Sequence, residues 1–250
     1  MRFWCHRILF VVASLGLSWL GMMAVHELGH VIAAMMSGGT VVRIVLHPAA
    51  ISRTDVSPNP VPLLVAWSGP LLGSLIPCTV MMLLHFVQRY AERMGLAVRP
   101  ALETDSFNLR GVESEFRRLG TADSCNAVAA DRRADGGFIS TANRKATLAF
   151  LGDLCQFFAG FCCIANGAYL GIGAFDGIGD AGDIQRAGSH VSLLILFGVM
   201  ASAAGFLFWH RLGSPRALFR TSTPTDAWLA RGLFATLVLV VVVECLLSPT

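Results

Sequence analysis

The stretch that decides the fold is ILFVVASLGLSWLGMMAVHELGHVIAAMM, residues 8–36. It is apolar almost throughout, and it is longer than the roughly 20 residues that a helix needs to cross a bilayer. Yet it contains His26, Glu27 and His30. Ionisable side chains inside membrane spans are costly and usually serve a function. The stretch therefore predicts a transmembrane helix that carries a functional site near its end.

The composition of the whole chain supports a membrane protein. Hydrophobic residues make up 54% of the 250 residues and charged residues 14%, and the mean hydropathy is +0.62. These values exclude an ordinary soluble enzyme and make the lipid bilayer a partner. The net charge is only +3, and no basic patch with interleaved aromatic residues occurs. We therefore expect no nucleic-acid partner.

Five apolar segments are long enough to span a bilayer. They run approximately over residues 8–36, 61–88, 148–172, 191–210 and 228–247. This pattern predicts an all-α fold, a polytopic transmembrane helical bundle of about five spans that forms a single domain over residues 1–250. We expect a multi-pass protein of the cell membrane.

Two of the connecting segments have a distinct composition. Residues 39–58 combine β-branched residues with prolines, which predicts a short β-hairpin or extended segment after the first span. Residues 89–147 hold ten of the nineteen basic residues and eight of the sixteen acidic ones. We interpret 89–147 as a polar loop, loosely structured apart from a short amphipathic helix at 112–119.

The HELGH motif at residues 26–30 has the spacing of a zinc site. His26 and His30 lie four residues apart, so on a helix their side chains share one face and can bind one ion. Glu27 lies one position round the helix, where it can act as a general base. A catalytic zinc ion takes three protein ligands and keeps one open position. The motif thus predicts one Zn²⁺ per chain and a third ligand elsewhere.

The third ligand is expected after the third span. With five spans, the end of the first span and the segment after the third lie on the same side of the membrane. The segment FDGIGDAGD, residues 175–183, offers Asp176, Asp180 and Asp183. From the residues alone, all three aspartates remain candidates.

Three motifs together resemble a known family. They are HELGH in an early span, SGPLLG at residues 68–73 in the second span, and the late glycine-rich aspartate segment. The combination is similar to the site-2 protease family of intramembrane zinc metalloproteases. The resemblance covers roughly half of the chain.

The resemblance implies roles for individual residues. The family's Leu-Asp-Gly-Gly-Arg motif aligns with the segment DAGDIQR, which makes Asp180 the third ligand and Asp183 the second choice. Asn166 matches the family's upstream asparagine and would bind substrate, although the family's proline is absent here. Glu27 would be the catalytic base. The substrate would be a transmembrane protein, held in extended form by strand addition to residues 41–46.

Two other functions remain open. The chain could be a non-proteolytic zinc-binding membrane scaffold or regulator, or a membrane zinc hydrolase of lipid amides. The presence of Glu27 favours an enzyme, because a structural zinc site has four protein ligands, no open coordination position and no need of a base.

Overall fold

A computed structural model describes residues 2–48, 52–93, 124–212 and 224–247. The helices and strands within these ranges follow one another as α1 (Arg2–Met36), β1 (Val41–Val45), β2 (Arg53–Val56), α2 (Pro62–Arg93), α3 (Ser124–Asp176), α4 (Gly179–Arg186), α5 (Val191–Arg211) and α6 (Pro224–Leu247).

Five of these helices contain segments long and apolar enough to cross a membrane. The segments are Cys5–Met36, Pro62–Ala91, Phe150–Asp176, Val191–Arg211 and Trp228–Leu247. They coincide with the five predicted spans to within a few residues. The predicted helical fold is therefore confirmed, and it fits a multi-pass membrane protein. Exposed leucines, valines and phenylalanines on α5 and α6 supply the apolar surface that lipid would cover.

The predicted loop at 89–147 is partly wrong. α2 continues to Arg93, and α3 already begins at Ser124, so residues 124–147 are helical. This segment is rich in alanine and contains arginines and a lysine, which favour a helix even where the sequence is polar. The predicted helix at 112–119 lies outside the described residues.

Packing divides the chain into two compact units. One unit comprises Met1–Met82 and Asp153–Thr250, and the other comprises Leu83–Gly152. Every residue discussed below lies in the first unit unless stated otherwise.

The hairpin follows directly from the end of α1. Gly38 adopts a φ of +77°, and the Gly39 amide donates to the Ala34 carbonyl at 2.8 Å. A left-handed glycine of this kind commonly ends a helix and turns the chain away from its axis. β1 and β2 then pair antiparallel, with Ile44 opposite Thr54. The predicted hairpin after the first span is confirmed.

Glycines bring α3 and α5 into close contact. A methyl group at Gly198 of α5 would come within 2.7 Å of the Gly171 Cα atom on α3, and one at Gly205 within 2.6 Å of the Gly160 carbonyl. In a membrane, such small residues let two backbones approach and pack. This contact fixes the part of α3 that carries Asn166 and Tyr169.

Candidate metal centre

The last third of α1 carries three buried ionisable side chains. His26, Glu27 and His30 are 6%, 2% and 5% exposed. Gly29 lies between them on the side facing α2, where a methyl group would come within 2.5 Å of the Ser68 carbonyl. The missing side chain at Gly29 therefore lets α2 approach the HELGH turn closely.

The ring of His26 is oriented from α3. Its Nδ1 lies 2.6 Å from the Asn166 Oδ1. The Asn166 Nδ2 donates to the Cys162 carbonyl at 2.9 Å, so Oδ1 is the end of the amide that faces His26. An amide oxygen only accepts, so the proton of a neutral His26 lies on Nδ1. Its Nε2 then presents a lone pair, as metal binding requires.

His30 is oriented in the same way from α2. Its Nδ1 donates to the Val65 carbonyl at 2.7 Å. The same carbonyl accepts the Ser68 hydroxyl at 2.6 Å. A backbone carbonyl bound to Nδ1 again leaves Nε2 for a metal ion. The two Nε2 atoms lie 3.1 Å apart.

The chain returns to this point after α3. Gly177 and Gly179 adopt φ values of +61° and +60°, which only glycine accepts readily. They reverse the chain so that α4 carries Asp180 back to α1. The Asp180 Oδ2 lies 2.8 Å from the His26 Nε2 and 3.3 Å from the His30 Nε2.

The three donor atoms have the spacing of a zinc site. Their separations are 2.8, 3.1 and 3.3 Å. A tetrahedral ion with bonds of roughly 2.0–2.1 Å has neighbouring donors about 3.3 Å apart. Two imidazoles and one carboxylate are also a ligand set that zinc uses in catalytic sites. The residues present therefore fit a zinc ion.

The carboxylates of Glu27 and Asp180 both lie near the histidines, but at different distances from the two rings. Ligand atoms of His26, Glu27 and His30 lie within 4.8 Å of one another, but the Asp180 oxygen is closer to both rings. Burial acts to raise the pKa of Asp180, yet its contacts with the two imidazoles outweigh burial and hold that pKa below its usual range. Those contacts need a proton on the histidine Nε2 atoms, so they describe the metal-free site; a bound metal ion would replace that proton and would itself favour the ionised carboxylate.

Gly69 of α2 leaves room beside His26 and His30 because it has no side chain. A methyl group at Gly69 would collide with the Nε2 atoms of both His30 and His26. The space beside the two donor atoms therefore exists because residue 69 is glycine. One turn later, a methyl group at Gly73 would come within 3.0 Å of the Asn166 amide. The glycines of the second-span motif thus pack against the histidines and their orienting amide.

The family comparison concerns the part of the chain that contains HELGH and the second-span motif. The model of the family described as Peptidase M50B-like matches residues 4–99, which contain nearly all of α1, the hairpin and α2. The N-terminal part of this chain is similar to M50B-like peptidases. The predicted resemblance to site-2 proteases is thereby confirmed, and the match supports a membrane peptidase. No curated protein and no solved structure matches the chain.

A cavity of about 820 Å³ opens beside the HELGH motif. Its lining includes His30 and Asp180, and it continues along β2, the start of α2 and α4. Charged side chains at its rim form two ion pairs, Arg53 with Asp55 and Arg186 with Asp183. The lining of this cavity includes all of β2 and no residue of β1. The predicted substrate-holding segment 41–46 therefore does not line it.

Five of the predicted site residues lie together, whereas two of the candidate aspartates lie apart from them. His26, Glu27, His30, Asn166 and Asp180 converge at one point of the fold. Asp183 is exposed on α4, where it pairs with Arg186. Asp176 is exposed at the end of α3.

Sequence reasoning missed three contributors to this site. The Thr54 hydroxyl donates to the Glu27 Oε2 at 2.6 Å. The Tyr169 ring packs edge-on against His26, with 5.6 Å between centroids, and its hydroxyl accepts the Asp180 amide at 3.3 Å. The third contributor is the Val65 carbonyl. Tyr169 follows Asn166 by three residues, so helical spacing could have placed it on the same face; nothing in the sequence signals the other two.

Asn166 is buried, and both ends of its amide bond to protein groups. We expect Asn166→Ala to weaken zinc binding about 10- to 100-fold, because the orienting partner of a ligand histidine is lost. Competition with a chelating dye measures this change. Gln156→Ala is the matched control, since that amide on the same helix donates to the Phe208 carbonyl at 2.8 Å. Equal zinc affinity in the two variants would contradict the prediction.

Proposed function

We propose that this chain is an intramembrane zinc metallopeptidase of the cell membrane that hydrolyses peptide bonds within or near transmembrane segments of other proteins. One Zn²⁺ per chain would be held by His26, His30 and Asp180. The observation that carries the proposal is the triangle of donor atoms, 2.8–3.3 Å on each side, beside a buried carboxylate. Structural zinc sites close the fourth position with another ligand and need no base.

Zinc, when bound, supplies Lewis acidity that polarises a carbonyl and makes water more acidic. Glu27 is the general base in this proposal. It takes a proton from the attacking water and later delivers it to the leaving nitrogen. The carboxylate is 2% exposed, so bulk water competes little for its hydrogen bonds.

The cavity supports a substrate in extended form. A peptide bond inside a helix is shielded by its own hydrogen bonds, so the segment to be cut must first unwind. β2 belongs to a two-stranded sheet, and its residues line the cavity. An unwound segment could pair along β2 and lie beside His30 and Asp180. Charged side chains at the rim favour water in the cavity, and the proposed hydrolysis needs that water.

Zinc content of the detergent-purified protein tests the ligand set. We expect about one zinc per chain in the wild type and Asp183→Ala, and loss of zinc in His26→Ala and Asp180→Ala. Asp176→Ala is a second control, because that carboxylate is exposed on α3. Retention of zinc in Asp180→Ala together with loss in Asp183→Ala would contradict the proposed ligands.

Reconstitution separates the proposed peptidase from its rivals. Zinc-loaded wild type in liposomes is mixed with a panel of fluorogenic transmembrane peptides, some carrying glycine or proline to weaken their helices. Cleavage that is absent in Glu27→Gln supports a peptidase. Bound zinc without any cleavage of the panel would favour a scaffold or regulator. Release of fatty acid from lipid amides, with the peptides intact, would favour a lipid hydrolase.

A further inference from the structure

The buried carboxylate of Glu27 is held from outside its own helix. The Thr54 hydroxyl on β2 donates to Oε2 at 2.6 Å, within the range of charge-assisted O–H···O⁻ hydrogen bonds. Glu27 is 2% exposed. A hydrogen bond in this environment restricts the carboxylate to one orientation, because water cannot replace the hydroxyl easily.

The register of the hairpin selects Thr54 for this contact. Side chains alternate between the two faces of a strand, and on β2 Thr54 and Val56 are half-buried while Arg53 and Asp55 are exposed. Val56 packs against a cluster that includes Ala33 and Ala34 of α1. This packing fixes β2 on α1 and places the Thr54 hydroxyl beside Glu27.

Thr54 also lines the cavity that contains His30 and Asp180. The strand along which a substrate could pair is therefore the strand that holds the base. The hydroxyl engages Oε2, so Oε1 keeps both of its lone pairs for a proton taken from water.

From this arrangement we propose that Thr54 is a positioning residue, which orients the Glu27 carboxylate for proton transfer through β2. The proposal depends on the proposed function, in which Glu27 is the base. Thr54 itself touches neither the zinc ligands nor the reacting atoms in this role. It acts on the rate of the chemical step and leaves zinc binding intact.

Thr54→Val tests the proposal, because valine keeps the shape and strand preference of threonine but lacks the hydroxyl. We expect kcat on a fluorogenic transmembrane peptide to fall about 10- to 100-fold, with KM and zinc content unchanged. Thr54→Ser keeps the donor and should restore kcat to within about threefold of the wild type. Thr79→Val is the matched control, since that exposed hydroxyl bonds only to the Leu75 carbonyl at 2.9 Å and its removal should leave kcat unchanged.

A second measurement does not depend on turnover. Isotope-edited infrared spectra of zinc-loaded protein report the hydrogen bonding of carboxylates, and the band absent in Glu27→Gln belongs to Glu27. That band should shift in Thr54→Val and stay in place in Thr54→Ser and Thr79→Val. An unshifted band in a folded, zinc-loaded Thr54→Val protein would overturn the proposal.

The outcomes distinguish this inference from the proposed function. If the wild type cuts and Thr54→Val cuts equally fast, Thr54 does not position the base, although the peptidase stands. If Thr54→Val and Thr54→Ser are equally slow, the strand contact matters but the hydroxyl does not, and the proposal is again wrong. If the wild type cuts no peptide while holding zinc, the proposed function fails, and the role of Thr54 fails with it.

Discussion

Glu27→Gln will abolish peptide hydrolysis while the protein keeps its zinc. The amide of glutamine occupies nearly the same space as the carboxylate and can still accept the Thr54 hydroxyl. It cannot take a proton from water, so the chemical step loses its base. We expect a fall in kcat of at least about 10³-fold, in the range that loss of a proton-transfer group commonly causes.

The measurement pairs cleavage of a transmembrane peptide with elemental analysis of the same preparation. Glu244→Gln is the matched control, because Glu244 also lies in an apolar span, on α6. Its substitution should leave cleavage within about twofold, since the buried Oε2 of Glu244 has no hydrogen-bond partner in the described part of the chain and is not tied to the proposed zinc ligands or to Glu27. Residual activity of Glu27→Gln above a tenth of the wild type would show that Glu27 is not the base.

Gly69→Ala will remove the zinc, and with it the activity, although the residue binds nothing itself. The added methyl group would collide with the Nε2 atoms of His26 and His30. These are the two atoms that the proposed ion needs, and both rings are tied at Nδ1 to Asn166 and Val65. The rings cannot move away without breaking those hydrogen bonds. We expect zinc affinity to fall more than about 100-fold, beyond the roughly 10- to 100-fold that loss of an orienting partner costs.

Gly232→Ala is the control for this effect. A methyl group at Gly232 on α6 meets no atom within 4 Å, so alanine should be neutral or should stabilise the helix by roughly 0.5–1 kcal/mol. Zinc titration and thermal unfolding of both variants in detergent separate loss of the site from loss of the fold. Normal zinc affinity in Gly69→Ala would mean that α2 can retreat from the histidines.

The sequence predicted the helices well because their physical cause is local. A run of about 20 apolar residues is sufficient to specify a span, and all five runs became helices. The histidine pair was predictable for the same reason, since the spacing of His26 and His30 fixes their shared face on a helix.

Other features depend on contacts between distant residues. Thr54 contacts Glu27 across 27 positions, and the register of β2 decides this contact. The position of Asp180 beside the two histidines depends on the turn made by Gly177 and Gly179. The helix over residues 124–147 was not predicted, because the many charged residues of this segment hide the helix preference of its alanines, arginines and lysine.

The return of the chain through α4 has a consequence for biosynthesis. His26 and Asp180 are separated by 154 positions, and two further spans lie between them. The donor triangle cannot close until the third span has entered the bilayer. The partners of Glu27 and His30 follow on β2 and α2, but until α3 arrives His26 lies in lipid without Asn166 and Asp180. Ionisable side chains are costly in lipid. The apolar residues of the first span, with a mean hydropathy of 2.2, offset this cost, so its length and hydrophobicity serve membrane insertion as well as the finished site.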